Sequence, residues 1–202
     1  MEDLPTENPT STQQEEFQVQ TPPEEKVKWG QVLLDIIETV VLAVVLFLGI
    51  NAVSARVRVD GSSMIPTLQN GEFVLVNRMA YRLGQMQRGD IIVFRSINEP
   101  GLDLIKRIIG LPGDEVVVQS GEVMINGQKL SEPYIAAPPR YDGAWRVPEG
   151  NLFVLGDNRN DSSDSHQWGL LPLENVIGKA ILIYWPPPEW NLIQHFDLLS
   201  AF

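Results

Sequence analysis

The sequence predicts a mainly β protein, an antiparallel coiled sheet or partly open barrel, attached to one N-terminal transmembrane helix. Three observations predict it. Beyond residue 54 the chain is made of short runs rich in β-branched and aromatic residues, at 73–76, 91–94, 104–109, 115–118, 152–155 and 180–184. Turn pairs punctuate them: Gly71-Glu72, Gly89-Asp90, Pro112-Gly113-Asp114, Ser120-Gly121 and Asn126-Gly127. No long one-faced helical pattern appears after residue 54, whereas one run before it is apolar on every side.

The chain has 202 residues, enough for one domain with a proper core. Its formal net charge of −11 argues against a nucleic-acid partner, which would call for a basic face. With no cysteine, disulfides, thiolate metal sites and a cysteine nucleophile are excluded.

Residues 1–30 carry four prolines, and seven acids against two bases give them a net −5. Phe17 and Trp29 are their only aromatics, too little to bury, so this stretch reads as a disordered acidic tail.

A transmembrane signal-anchor is expected over residues 31–54. Its apolar centre, 36–53, would rise roughly 27 Å as a helix, against a hydrocarbon core of about 30 Å. Asp35 and Glu38 lie at one end, within reach of headgroups. A buried core helix is the alternative, but residues 40–50 are apolar all round. A cleavable signal peptide is another, with Val53-Ser54-Ala55 as its cleavage site. The preceding region is long and acidic instead of short and basic, which favours the uncleaved anchor. Lys26 and Lys28 on one side balance Arg56 and Arg58 on the other, so charge does not orient it.

Residues 55–202 form the expected β-rich domain. A strand over 55–59 leads into Gly61-Ser62-Ser63, and Pro66 biases Ile65 toward an extended continuation. A serine at a strand end beside a tight turn suits a nucleophile, and equally suits an ordinary loop. In the run 104–109, alternation places Lys106 on one face with Leu104 and Ile108, and Arg107 on the other with Ile105 and Ile109. A lysine among aliphatic neighbours has its pKa lowered, as a general base needs. A lysine guarding a sheet edge is the alternative. Asn126-Gly127 between two short runs is the clearest two-residue hairpin. Residues 156–166 then form a polar loop after an apolar strand. Its Asp and Asn spacing does not fit a twelve-residue calcium loop, since Arg159 stands at the third position and no glycine at the sixth. No metal and no cofactor are expected.

Ser63-Met64-Ile65-Pro66-Thr67-Leu68, just beyond an anchor, resembles the nucleophile box of type I signal peptidases. Lys106-Arg107-Ile108-Ile109-Gly110-Leu111-Pro112-Gly113-Asp114 resembles the box carrying their general base. Gly89-Asp90-Ile91-Ile92-Val93-Phe94 resembles the box between, and Gly156 to Gly169 the last one. The resemblance implies Ser63 as nucleophile and Lys106 as base, with Arg107 its structural neighbour. It also implies that Ser162 hydrogen-bonds the lysine while Asp157 and Asp164 hold the site by ion pairs. Gly61 stands where some members have an oxyanion-binding serine, leaving that task to the Ser63 N–H, with Ser62 or water assisting. His166 stands where many have arginine, which resembles the cyanobacterial and thylakoidal branch. Residues 136–148 are too few for the accessory domain of some relatives.

The activity implied is removal of signal peptides from preproteins after small residues at −1 and −3. A single-pass anchor would hold the catalytic domain against membrane lipid, on the periplasmic or thylakoid-lumen side, as a monomer. A Ser-His-Asp hydrolase using Ser63, His166 and Asp164 or Asp161, or a non-enzymatic tethered β module, is the alternative. A self-cleaving repressor shares the Ser–Lys pair but would bring a helical DNA-binding domain.

Overall fold

The structure, a computed structural model, describes residues 28–199. The acidic tail expected over residues 1–30 lies outside the described residues, apart from its last three.

The apolar run forms helix α1 (Trp29–Val53). At 25 residues it is about 37 Å long, long and apolar enough to cross a membrane. Its hydroxyl group folds back onto the helix itself, Thr39 Oγ1 donating to the Asp35 carbonyl at 2.7 Å.

The rest is antiparallel β structure in two sheets, neither closed on itself. The larger contains β1 (Ser54–Arg58), β2 (Phe73–Asn77), β3 (Ile91–Arg95), β4 (Asp103–Gly110), β9 (Asn151–Leu155), β10 (Leu171–Pro172), β11 (Val176–Trp185) and β12 (Asn191–Leu192). Its order is β1-β2-β11-β3-β4-β9-β10, with β12 against β11. The smaller contains β5 (Glu115–Gln119), β6 (Glu122–Ile125), β7 (Gln128–Lys129) and β8 (Gly143–Arg146), in the order β7-β6-β5-β8. The mainly β architecture is thus an open, coiled pair of sheets.

Each expected strand forms, and Asn126 and Gly127 turn the β6–β7 hairpin at φ 53° and 81°, the left-handed pair a two-residue hairpin needs. The long strand β11 lies between β2 and β3. A side chain at Gly178 would run into the Asn77 carbonyl, so glycine is what lets β11 and β2 approach there. Elements without a readable pattern also appear. β8 has no β-branched residue, and β10 and β12 have two residues each. The helices α2 (Ala80–Leu83) and α3 (Ser165–Trp168) are single turns.

Strand β4 reaches three apolar clusters. Ile105 joins the one beneath β1 and β2, Ile108 the one with Ile92 and Val154, and Ile109 the one with Val116 and Phe153. Burial of this strand on every side is what places Lys106 and Arg107 in the interior, at 3% and 0% exposure.

Candidate active site

The loop after β1 is shaped by Gly61 at φ 101°, where other residues would be strained, and its N–H donates to Asn70 Oδ1 at 2.9 Å. The extended run expected past Pro66 does not form. Ile65 N–H donates to the Ser62 carbonyl at 3.1 Å and Leu68 N–H to the Met64 carbonyl at 2.9 Å, so the chain turns back. The cause is apolar: turning drops Met64 and Leu68 into the core at 1% and 0% exposure. Ser63 is left half-buried at the start of that turn.

From β4, Lys106 Nζ donates to Ser63 Oγ at 2.7 Å and to the Ile105 carbonyl at 3.0 Å. Burial pushes the Lys106 ammonium down to about 8, against the opposing pull of the Asp164 and Asp157 carboxylates. About one such lysine in ten is therefore neutral at pH 7, enough for a base facing a hydroxyl.

The polar loop after β9 holds both partners in place. Asn158 N–H donates to the Ser63 carbonyl at 3.0 Å, and its Nδ2 to the Ser62 carbonyl at 3.2 Å. Asp157 receives Arg107 at both oxygens, and Thr67 Oγ1 as well. Arg107 Nη1 also donates to the Gly89 carbonyl at 2.8 Å, and its guanidinium lies 4.0 Å from the Tyr134 ring centre. Asp164 caps α3, accepts from Gly156 N–H at 2.9 Å and faces His166 Nδ1 at 2.7 Å.

The geometry of the remaining expected residues is specific. Ser62 Oγ donates to Asp161 Oδ2 at 2.6 Å, which commits its one proton away from Ser63. Ser162 Oγ is buried but makes no hydrogen bond among the described residues, so the expected bond to Lys106 is not formed. Its hydroxyl packs against Gly156, where an added Cβ would meet both it and the Ser63 carbonyl. His166 is paired with Asp164 and stacked 3.9 Å from the Tyr141 ring; no hydrogen bond joins it to Ser63 among the described residues. The three loop carboxylates diverge, Asp157 to Arg107, Asp161 to Ser62 and Asp164 to His166.

A further support was not visible in the sequence. Arg159 is 1% exposed and forks onto Glu132 at 2.6 and 2.8 Å, while its Nε donates to the Gly156 carbonyl at 3.2 Å. Glu132 and Tyr134 come from the segment after β7, with no local pattern to mark them.

A family model described as "Signal peptidase, peptidase S26" matches residues 33–185, well over half of the chain. The chain belongs to the signal peptidases. It is 45% identical over 167 residues to a probable signal peptidase I-2 of Synechocystis, covering 79% of this chain and 77% of that one. To the signal peptidase I of Leptolyngbya laminosa it is 44% identical over 183 residues, covering 83% and 89%. To a probable thylakoidal processing peptidase 2 of Arabidopsis thaliana it is 37% identical over 150 residues, covering 70% of this chain and 41% of that one. These relatives match the cyanobacterial and thylakoidal branch that His166 suggested. As a signal peptidase the chain is a hydrolase, a serine peptidase that removes signal peptides. Its apolar N-terminal helix suits membrane anchoring.

Proposed function

We propose that this signal peptidase cuts preproteins with a Ser63–Lys106 dyad. The observation that carries the proposal is the 2.7 Å contact between Lys106 Nζ and Ser63 Oγ, made by a lysine only 3% exposed. Neutral Lys106 takes the Ser63 proton as Oγ attacks the scissile carbonyl carbon. The resulting oxyanion is met by the Ser63 N–H, which donates to nothing else among the described residues. The Lys106 ammonium then returns its proton to the leaving amine, and the acyl group stays on Oγ. Lys106, neutral again, takes a proton from water as its oxygen attacks the ester, and hands that proton to Ser63 Oγ as the ester C–O bond breaks, restoring the dyad.

Asp157 and Arg107 hold the loop and strand in register, and Asp164 with His166 secures the far end of the loop. Ser162 contributes packing beside Gly156 and Ser63. The Ser62 hydroxyl would have to release Asp161 before it could aid the oxyanion. Small residues at −1 and −3 are the substrate feature the family resemblance implies. The domains are read as an acidic tail over 1–30, an anchor over 31–54 and the peptidase domain over 55–202. The anchor would hold a monomeric catalytic domain at lipid on the trans side, where preproteins emerge.

The test is cleavage of a signal-peptide substrate by detergent-solubilised full chain, wild type against Ser63→Ala. Loss of all product with Ser63→Ala is expected; retained cleavage would remove Ser63 from the mechanism.

A further inference from the structure

A groove of about 590 Å³ opens on the β domain away from Ser63, and four arginines line it: Arg56, Arg78, Arg82 and Arg95. They are four of only fifteen basic residues in a chain of net charge −11. Two acids, Asp103 and Glu174, also line it, so positive charge prevails. No ion pair or side-chain hydrogen bond holds the guanidinium of Arg56, Arg78 or Arg95 among the described residues, and Arg82 reaches only Met79 Sδ, at 3.9 Å. Elsewhere in the domain the buried arginines are fully engaged: Arg107 with Asp157 and Arg159 with Glu132. All four groove arginines are exposed, so solvent screens their mutual repulsion in part, and an anion among them would relieve the rest.

The position of the groove says which anion. Arg78 N–H donates to the carbonyl of Val53, the last residue of α1, at 2.9 Å. Arg56 follows three residues after Val53, within about 11 Å of extended chain. A headgroup layer is roughly 5–8 Å thick on each side of the hydrocarbon, so with α1 read as the anchor the long side chains of both arginines can reach back to it. Beside Arg82, Leu83 is 84% exposed at the end of α2, an apolar tip next to cationic groups, as interfacial segments present.

We infer that this groove binds the phosphate headgroup of an anionic lipid in the leaflet where α1 ends, and so fixes the catalytic domain against the bilayer. The inference rests on reading α1 as a membrane anchor. Guanidinium forks match phosphate oxygens two at a time, and a lipid brings its phosphate to the leaflet where α1 ends, three residues before Arg56. The arginines touch none of the residues of the dyad, so binding is separable from the chemistry.

The experiment uses the full chain. Co-flotation with neutral phosphatidylcholine vesicles in high salt first tests the anchor: a chain left at the bottom of the gradient overturns the anchor reading and this inference with it. Native mass spectrometry of the detergent-solubilised chain, titrated with dihexanoyl-phosphatidylglycerol or dihexanoyl-phosphatidylcholine, then tests the groove. One phosphatidylglycerol should bind at least tenfold tighter than phosphatidylcholine. R56Q/R95Q should lose on the order of fivefold per arginine, while R58Q, outside the groove, keeps wild-type affinity. Both variants should cleave a soluble substrate in detergent at the wild-type rate. Equal affinity for the two lipids, or undiminished phosphatidylglycerol binding by R56Q/R95Q, overturns the inference even where flotation succeeds. Inorganic phosphate in a parallel titration separates the sources: weak binding that phosphatidylglycerol displaces supports a lipid, whereas phosphate binding that the lipid does not displace overturns it.

Discussion

Arg107 and Asp157 face each other with two parallel hydrogen bonds, Nε to Oδ1 at 2.8 Å and Nη2 to Oδ2 at 2.7 Å, and neither side chain has any exposed surface. Arg107 follows Lys106 on β4, and Asp157 precedes Asn158, whose N–H holds the Ser63 carbonyl. The pair therefore joins the strand bearing the base to the loop that positions the nucleophile. Burying two charges is costly, and here each remaining valence is met by Gly89, Thr67 or the Tyr134 ring.

Asp157→Asn leaves the Arg107 charge buried without its partner. Such a loss costs about 3–5 kcal/mol, so denaturant unfolding should show a midpoint far below wild type. Arg107→Lys should fail similarly, because a point charge cannot make the fork. A drop of under about 1 kcal/mol in either variant would mean that the pair is not what holds loop to strand.

Gly156→Ala asks whether close packing behind the serine sets its position. A Cβ there would sit 2.5 Å from the Ser63 carbonyl oxygen and collide with Ser162 Oγ. Something must move, and displacement of about 1 Å near reacting groups can cost on the order of a hundredfold in rate. Turnover of a peptide substrate should fall by about that factor. A variant within a few fold of wild type would show that the loop absorbs the methyl group.

Gly127→Ala is the contrasting case. Gly127 sits at φ 81° in the β6–β7 turn with open space around it, so the penalty is backbone strain alone. Stability should fall by about 1 kcal/mol with the cleavage rate per folded molecule unchanged. A rate change would tie this hairpin to the site.

Much of this arrangement could be read from the residues. Runs such as 91–94 and 104–109 are apolar and β-branched because they are buried on both faces, and that pattern is local. Lys106 stood out because an ammonium among aliphatic neighbours is costly and so conspicuous. What stayed hidden depends on distant partners. Glu132 and Tyr134 meet Arg159 and Arg107 across the fold, and nothing near them in sequence announces it. The turn after Ser63 follows from where Met64 and Leu68 find apolar cover, whereas the local Ile65-Pro66 bias points to extended chain. Strand β8 exists because β5 offers it an edge, Glu115 to Val118 pairing with Gly143 to Arg146. The Ser162 hydroxyl illustrates the limit of a motif: its place was foreseeable, its missing bond to Lys106 was not.

The two adjacent serines should separate cleanly. Ser62 Oγ is spent on Asp161, and Ser63 Oγ alone meets Lys106. Ser62→Ala should keep substantial activity, and Ser63→Ala should keep none. An inactive Ser62→Ala beside an active Ser63→Ala, both folded by circular dichroism, would exchange their roles.

The most direct test of the dyad is the acylation rate of wild type, Lys106→Ala, Lys106→Arg and His166→Ala measured across pH. Burial lowers Lys106 to about 8, and the base works only when neutral, so the rate should climb as pH rises through 8 and level off above it. Lys106→Ala should lose nearly all acylation, and Lys106→Arg should not restore it, since arginine stays protonated. His166→Ala should keep the same inflection near 8, because His166 bonds Asp164 and not Ser63. A folded His166→Ala protein without acylation, beside an active Lys106→Ala and a wild-type inflection at the imidazole reference of about 6.5, would contradict the serine–lysine account.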